Sequence, residues 1–324
     1  MEDVYLRDHV GDIGDPHNGP VASSPDIIVR STPLAAGTDP QTVWGEGTGT
    51  ENSDTLSTLV EAGQDNFVYA RVRNRGDLPV VDGLAQVTVY WSEVATLVTP
   101  SSWRMIGQVG MDVPVGNLLT VSEQITWPSA GVPAPGHYCF VATVGTPDDP
   151  IPPLTALADW NAFVAFVRNN NSVTWRNFNV VDLQAMMVPP SPPQPFIIGG
   201  APEEDVEMGL EVIAYLPADA RLVLEAPAEL LKRFPELELE SDGERARATL
   251  RPIGRQDLGI AEFPAKLRAE AQMHVEFPEE AAKRSGWTLA IRQYVTEDRL
   301  EVGRVTWYFA GPERSDRPKR VPKA

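Results

Sequence analysis

Apolar and polar residues alternate with a period of two along several stretches of this chain, and no stretch sustains a 3.6-residue period. From Asn66 to Arg73, Val68, Ala70 and Val72 share one face, and Phe67, Tyr69, Arg71 and Arg73 share the other. Val87, Val89 and Trp91 alternate with Thr88 and Tyr90. Val121 to Trp127 follows the same habit and Val173 to Val181 reads as a further strand, while Tyr138 to Val144 is almost wholly apolar, as a central strand covered on both faces would be. Phe163 to Val167 reads as one more short apolar strand, and Leu154 to Trp160 leaves room for one helical turn. Leu267 to Phe277 is the cleanest alternation: Leu267, Ala269, Ala271, Met273, Val275 and Phe277 face one way and the charged residues between them the other. Met208–Tyr215 and Arg221–Leu224 predict further strands. Trp287–Val295 with Leu300–Phe309 predicts a hairpin, as does Glu236–Leu250 around Asp242–Gly243. Two short helices open on prolines, Pro227 to Phe234 and Pro278 to Ser285. The fold class predicted is all-β, with strands paired into sandwiches.

The chain divides at a proline run. Between Val188 and Phe196 five prolines remove amide donors and favour an extended, semi-rigid spacer. Charge habits change across it. Residues 1–188 carry 8 Arg, no Lys and 21 acids; the first lysine is Lys232. The expected organisation is an N-terminal extension (1–23), a first sandwich (24–188), a Pro-rich linker (189–195), a second sandwich with the two short helices (196–311) and a basic disordered tail (312–324).

Six segments of the first half come in a telling order: Ser24 to Arg30, Val68 to Gly76, Val87 to Trp91, Trp103 to Gly107, His137 to Ala142 and Asn169 to Asn177. The series resembles the bacterial CARDB-type, Ig-like sandwich modules over about residues 24–182. The resemblance implies an adhesive or scaffolding unit that often sits beside catalytic domains such as secreted peptidases, with no catalytic residues to carry over. Within it Trp91 and Trp103 are expected to fill the core between two sheets. Tyr138, just after Pro135–Gly136, sits where Ig-like sandwiches carry a tyrosine corner, its hydroxyl bonded to nearby backbone. The second half reads as a diverged Ig-like sandwich with no family assigned.

Composition narrows the function. The 324 residues carry a net charge of −18, which argues against nucleic acid as a partner, since phosphate binding needs a basic face. No apolar run approaches the roughly 20 residues of a membrane-spanning helix. Acids at Glu2, Asp3 and Asp8 break any signal-peptide pattern, so the expected location is cytoplasmic, unless the chain leaves by a non-classical route or belongs to a larger product. Cys139 alone excludes an intramolecular disulfide framework. It lies in an apolar strand with His137 on the same face, a weak nucleophile–base pairing against an inert buried thiol. None of His9, His17, His137 and His274 makes an H-x3-H pair, and no nucleophile elbow or phosphate loop is present.

Acidic loops supply the remaining chemistry: Asp12, Asp15 and Asp26 near the first strand, and Asp148, Asp149 and Asp159 around the proline-rich loop after Val144. The last three are the calcium candidates, because calcium favours clustered carboxylate and carbonyl oxygens; the competing reading is solvated turn residues. No other cofactor is expected. The function expected is a non-catalytic protein-interaction or scaffold protein that binds a protein partner or itself. The alternatives are an accessory or substrate-recognition component of a bacterial proteolytic system and a self-assembling structural subunit.

Overall fold

Alternation buries one face of a strand and leaves the other for a second layer, and four sheets result among the described residues. The computed structural model describes residues 1–53, 56, 59–181, 193–278 and 286–309. The strands of the first half are β1 (Val4–Tyr5), β2 (Ile27–Arg30), β3 (Leu59–Glu61), β4 (Asn66–Asn74), β5 (Val80–Glu93), β6 (Arg104–Val113), β7 (Thr120–Val121), β8 (Ile125–Trp127), β9 (Gly136–Gly145) and β10 (Val173–Val181). In one sheet β1, β2, β7 and β8 all pair antiparallel with β4. The other runs β3-β10-β9-β5-β6, antiparallel except for the β3–β10 pair. Between them Val68, Ala70 and Val72 of β4 join Val87 and Val89 of β5 and Phe140, Ala142 and Val144 of β9 in one core. The far face of β4 is covered too: Tyr69 packs on Trp44, 4.8 Å between rings, from the short helix α1 (Pro40–Trp44).

The second half has the strands β11 (Gln194–Gly199), β12 (Val206–Tyr215), β13 (Arg221–Pro227), β14 (Leu239–Asp242), β15 (Arg245–Leu250), β16 (Ile253–Phe263), β17 (Arg268–Glu276), β18 (Trp287–Val295) and β19 (Glu301–Phe309). They form the sheets β11-β17-β13-β15-β14 and β16-β12-β18-β19. The inward face of β17, Ala269, Ala271, Met273 and Val275, meets Met208, Leu210 and Val212 of β12, as its alternation predicts. Both predicted hairpins are present, β14–β15 and β18–β19. The fold is all-β, two β-sandwiches in series.

Two local readings are corrected. Phe163–Val167 is not a strand but the middle of helix α2 (Trp160–Asn169). Asp159 caps that helix, its carboxylate accepting the Ala162 amide at 2.8 Å, and Trp160, Phe163 and Val167 then fall on one buried face. Val121–Trp127 is not one strand: the chain breaks between β7 and β8, where the Ser122 hydroxyl accepts the Ala70 amide in place of ladder pairing. The first proline helix is α3 (Ala228–Leu231). The second, beyond Pro278, lies outside the described residues, as do linker positions 189–192 and the tail. Gln194 and Pro195 pair with Met273 and Gln272, and Val4–Tyr5 pair with Asn74 and Arg73.

The two sandwiches share a core. Cys139 and Val141 on the back of β9, Trp175 of β10 and the buried face of α2 belong to the same apolar cluster as Phe196, Leu210 and Trp307. Backbone pairing crosses the seam, with Thr96 N–H donating to Ile197 O at 2.8 Å and Ile197 N–H to Val94 O at 2.9 Å. The Thr96 hydroxyl donates to Gln293 Oε1 (2.5 Å), and Gln293 Nε2 donates to Gly199 O (2.9 Å). Gly303 meets the first sandwich so closely that a Cβ there would stand 1.8 Å from the Thr96 carbonyl oxygen.

Candidate functional site

The N-terminal segment runs from β1 to β2 over this seam, and Arg168 at the end of α2 holds it there. The Arg168 guanidinium is buried and donates to the carbonyls of Glu301 (2.8 Å), Gly19 (3.3 Å) and His17. Glu301 in turn accepts the Val21 amide at 3.3 Å and pairs with Arg304. One arginine thus joins the first sandwich, the N-terminal segment and β19.

Under this clamp Asp8, Asp12 and His17 converge, with one ligand-capable atom of each within 4.8 Å of the others. His17 Nε2 stands 3.4 Å from Asp8 Oδ2 and 3.7 Å from Asp12 Oδ2. Asp12 is fixed by backbone: Oδ2 accepts the Asp8 amide and Oδ1 the Gly14 amide, both at 2.8 Å. His17 Nδ1 accepts the Gly19 amide at 3.1 Å, which turns the Nε2 edge toward the carboxylates. Both carboxylates are more than nine-tenths buried. Asp8 Oδ1 is buried and has no hydrogen-bond partner. Thr174 stands beside it, but that hydroxyl gives its one proton to the Arg7 carbonyl at 2.9 Å. Burial pushes the Asp8 carboxyl up to about 7, against the His17 contact that lowers it. The loop between Asp8 and Asp12 also walls a cleft, through His9 and Gly11, opposite Arg176 and Asn177 of β10 and Thr306 of β19.

The three calcium candidates do not meet in such a group. Asp159 is spent on the α2 cap. Asp148 is exposed. Asp149 closes a tight turn with Thr146, each backbone amide bonded to the other residue, and burial together with Asp3 and Glu2 raises its carboxyl. Of the other acids noted, Asp15 pairs with Arg75 and Asp26 with Arg7. Asp8 and His17 fall outside the H-x3-H spacing; the pattern present is Asp8-x3-Asp12-x4-His17, two acids and one imidazole in one loop.

The remaining candidates are structural in their contacts. Burial pushes the Cys139 thiol up to about 12, and the sulfur faces Asn177 Oδ1 at 3.8 Å. His137 is buried with Nε2 3.2 Å from Asn177 Nδ2, its ring 5.7 Å from Trp307. The Tyr138 hydroxyl donates to the Ala134 carbonyl at 2.9 Å, and its ring meets Trp91 edge-on at 5.5 Å. Trp103 is buried against Tyr90, its indole N–H donating to Val98 O at 3.3 Å. His274 lies on the outer face of β17, 3.3 Å from Glu225.

No family model matches the chain, and no curated protein is significantly similar to it. Solved structures are. The CARDB domain of a Pyrococcus furiosus protein, in complex with di-metal ions, is 14% identical and covers 48% of this chain and 86% of its own, at a TM-score of 0.26. The calcium binding domain CBD12 of CALX1.1 is 12% identical, covering 74% of this chain and 78% of its own, at a TM-score of 0.21. The collagen adhesin of S. aureus is 9% identical, covering 77% and 88%, at a TM-score of 0.17.

Proposed function

We propose that this chain is a non-catalytic interaction module in which two sandwiches, fused along one core, present a rigid acidic surface to a protein partner. The observation that carries the reading is the open edge of β6. Arg104–Val113 is the outermost strand of its sheet, ten residues long, with no strand paired beyond it among the described residues. Its exposed side includes Met105, 63% accessible. A long open edge offers unpaired amides and carbonyls, the template that strand addition uses. The acidic balance of the first half selects a partner that brings positive charge.

The test uses the full chain as bait in an extract of its source organism, beside a Met105→Lys/Gln108→Pro variant that spoils the edge. The wild type is expected to retain one stoichiometric protein partner and the variant to lose it. Turnover of a substrate in a broad hydrolase panel, unchanged by the edge variant, would overturn the reading; retention of the chain's own copies alone would move it to self-association. No helix among the described residues is long and apolar enough to cross a membrane.

A further inference from the structure

Carboxylates are rarely buried without a donor or a counter-charge, because desolvating the charge costs several kcal/mol unless it is compensated. Asp8 has one such partner for a side chain only 8% exposed: His17 Nε2 stands 3.4 Å from Oδ2, and Oδ1 has no hydrogen-bond partner. A second buried carboxylate, Asp12, faces the same His17 edge. A proton on Asp8 Oδ1 could be given to the oxygen of the Thr174 hydroxyl, but it would leave Asp12 and His17 out of the interaction. A cation compensates the charge and draws on all three side chains, one ligand-capable atom of each lying within 4.8 Å of the others.

We propose that Asp8, Asp12 and His17 bind one divalent first-row transition ion, zinc or manganese in class, and that this ion locks the N-terminal segment across the seam between the sandwiches. The ligand set decides the class. Two carboxylate oxygens with an imidazole nitrogen suit zinc and manganese, whereas calcium takes six to eight oxygens and has no use for the imidazole. Water would complete the coordination.

Loading has one local consequence. The Gly19 amide donates to Nδ1, so the neutral imidazole carries its proton on Nε2, pointing at the carboxylates where the ion would sit. Binding shifts that proton to Nδ1, and the Gly19 amide must turn away from it. Arg168 holds the carbonyls of both His17 and Gly19, so the change reaches the arginine that ties the segment to Glu301. The metal thus acts on the seam, independently of any partner at β6.

The test is titration of the chelator-stripped full chain with zinc, manganese, calcium and magnesium, followed by calorimetry and by melting. His17→Gln is the decisive variant, because His17 is partly exposed and its loss should leave the fold intact; Asp8→Asn is the second, and Asp149→Asn the control. The expected result is one ion of zinc or manganese per chain, a melting temperature higher by about 3 °C or more at saturation, and affinity at least tenfold weaker in His17→Gln and Asp8→Asn but unchanged in the control. Absence of heat and shift with both first-row ions, binding of calcium alone, or undiminished binding in His17→Gln would overturn the proposal.

Discussion

Arg7 and Asp26 form a two-pronged ion pair in the interior of the first sandwich: Nη2 lies 2.5 Å from Oδ1 and Nε 3.0 Å from Oδ2, and the Arg7 amide adds a third bond to Oδ2 at 2.9 Å. Side-chain exposure is 4% for Arg7 and 1% for Asp26. The same carboxylate faces Arg71 of β4, whose side chain is fully buried and also donates to the carbonyls of Thr50 and Pro25. One aspartate therefore ties the segment after β1 to the start of β2 and to the middle of β4.

Removing that aspartate leaves two buried guanidinium groups with their counter-charge gone. Asp26→Asn is expected to lower stability by about 3–5 kcal/mol in urea unfolding. A cost below about 1 kcal/mol would show that the pair is only a surface-like contact.

At the seam the prediction is steric. A Cβ on Gly303 would meet the Thr96 carbonyl oxygen at 1.8 Å, backbone that cannot step aside without parting the sandwiches. Gly303→Ala should cost about 1–3 kcal/mol and broaden the melting transition. A melt indistinguishable from wild type would mean that the seam is looser than its contacts.

Cys139 should be inert. Burial raises its thiol to about 12, so almost no thiolate exists at neutral pH. Labelling with a thiol-disulfide reagent should proceed only at the rate of unfolding, and stoichiometric labelling of the folded chain within seconds would refute the buried placement.

On the outer face of the second sandwich, burial works to raise the Glu225 carboxyl, but Arg247 and Arg245 outweigh it and hold it below the usual range, with contacts of 2.8 Å and 2.6 Å. A carboxyl lowered in the folded state contributes stability above its unfolded pKa, about 4.3, and loses it as pH falls through the folded value. Glu225→Gln should therefore be destabilising at pH 7, while the difference from wild type disappears toward pH 3. An equal difference at both pH values would assign the effect to packing.

Strands buried on one side were legible because burial itself imposes the period of two. β17 shows it in Ala269, Ala271, Met273 and Val275, and β9 was legible for the opposite reason, being covered on both faces. Helix α2 was not, because Phe163–Val167 is apolar without interruption and matches a buried strand as well as a helix; the discriminating signals are the Asp159 cap and the Trp160, Phe163, Val167 spacing. Edge strand β16 escaped because its exposed positions, Ile253 and Ile260 among them, hide any alternation. The Asp8–Asp12–His17 cluster was half visible, with Asp12 noted as an acidic-loop residue. Its assembly depends on Arg168 and Glu301, far along the chain, and no local pattern reports such a partner.

The central claim is that the two sandwiches are one cooperative body. Differential scanning calorimetry of the intact chain tests it directly. One endotherm whose calorimetric enthalpy equals its van't Hoff enthalpy is the result the shared core predicts. Two resolved transitions, one surviving while the other melts, would contradict it.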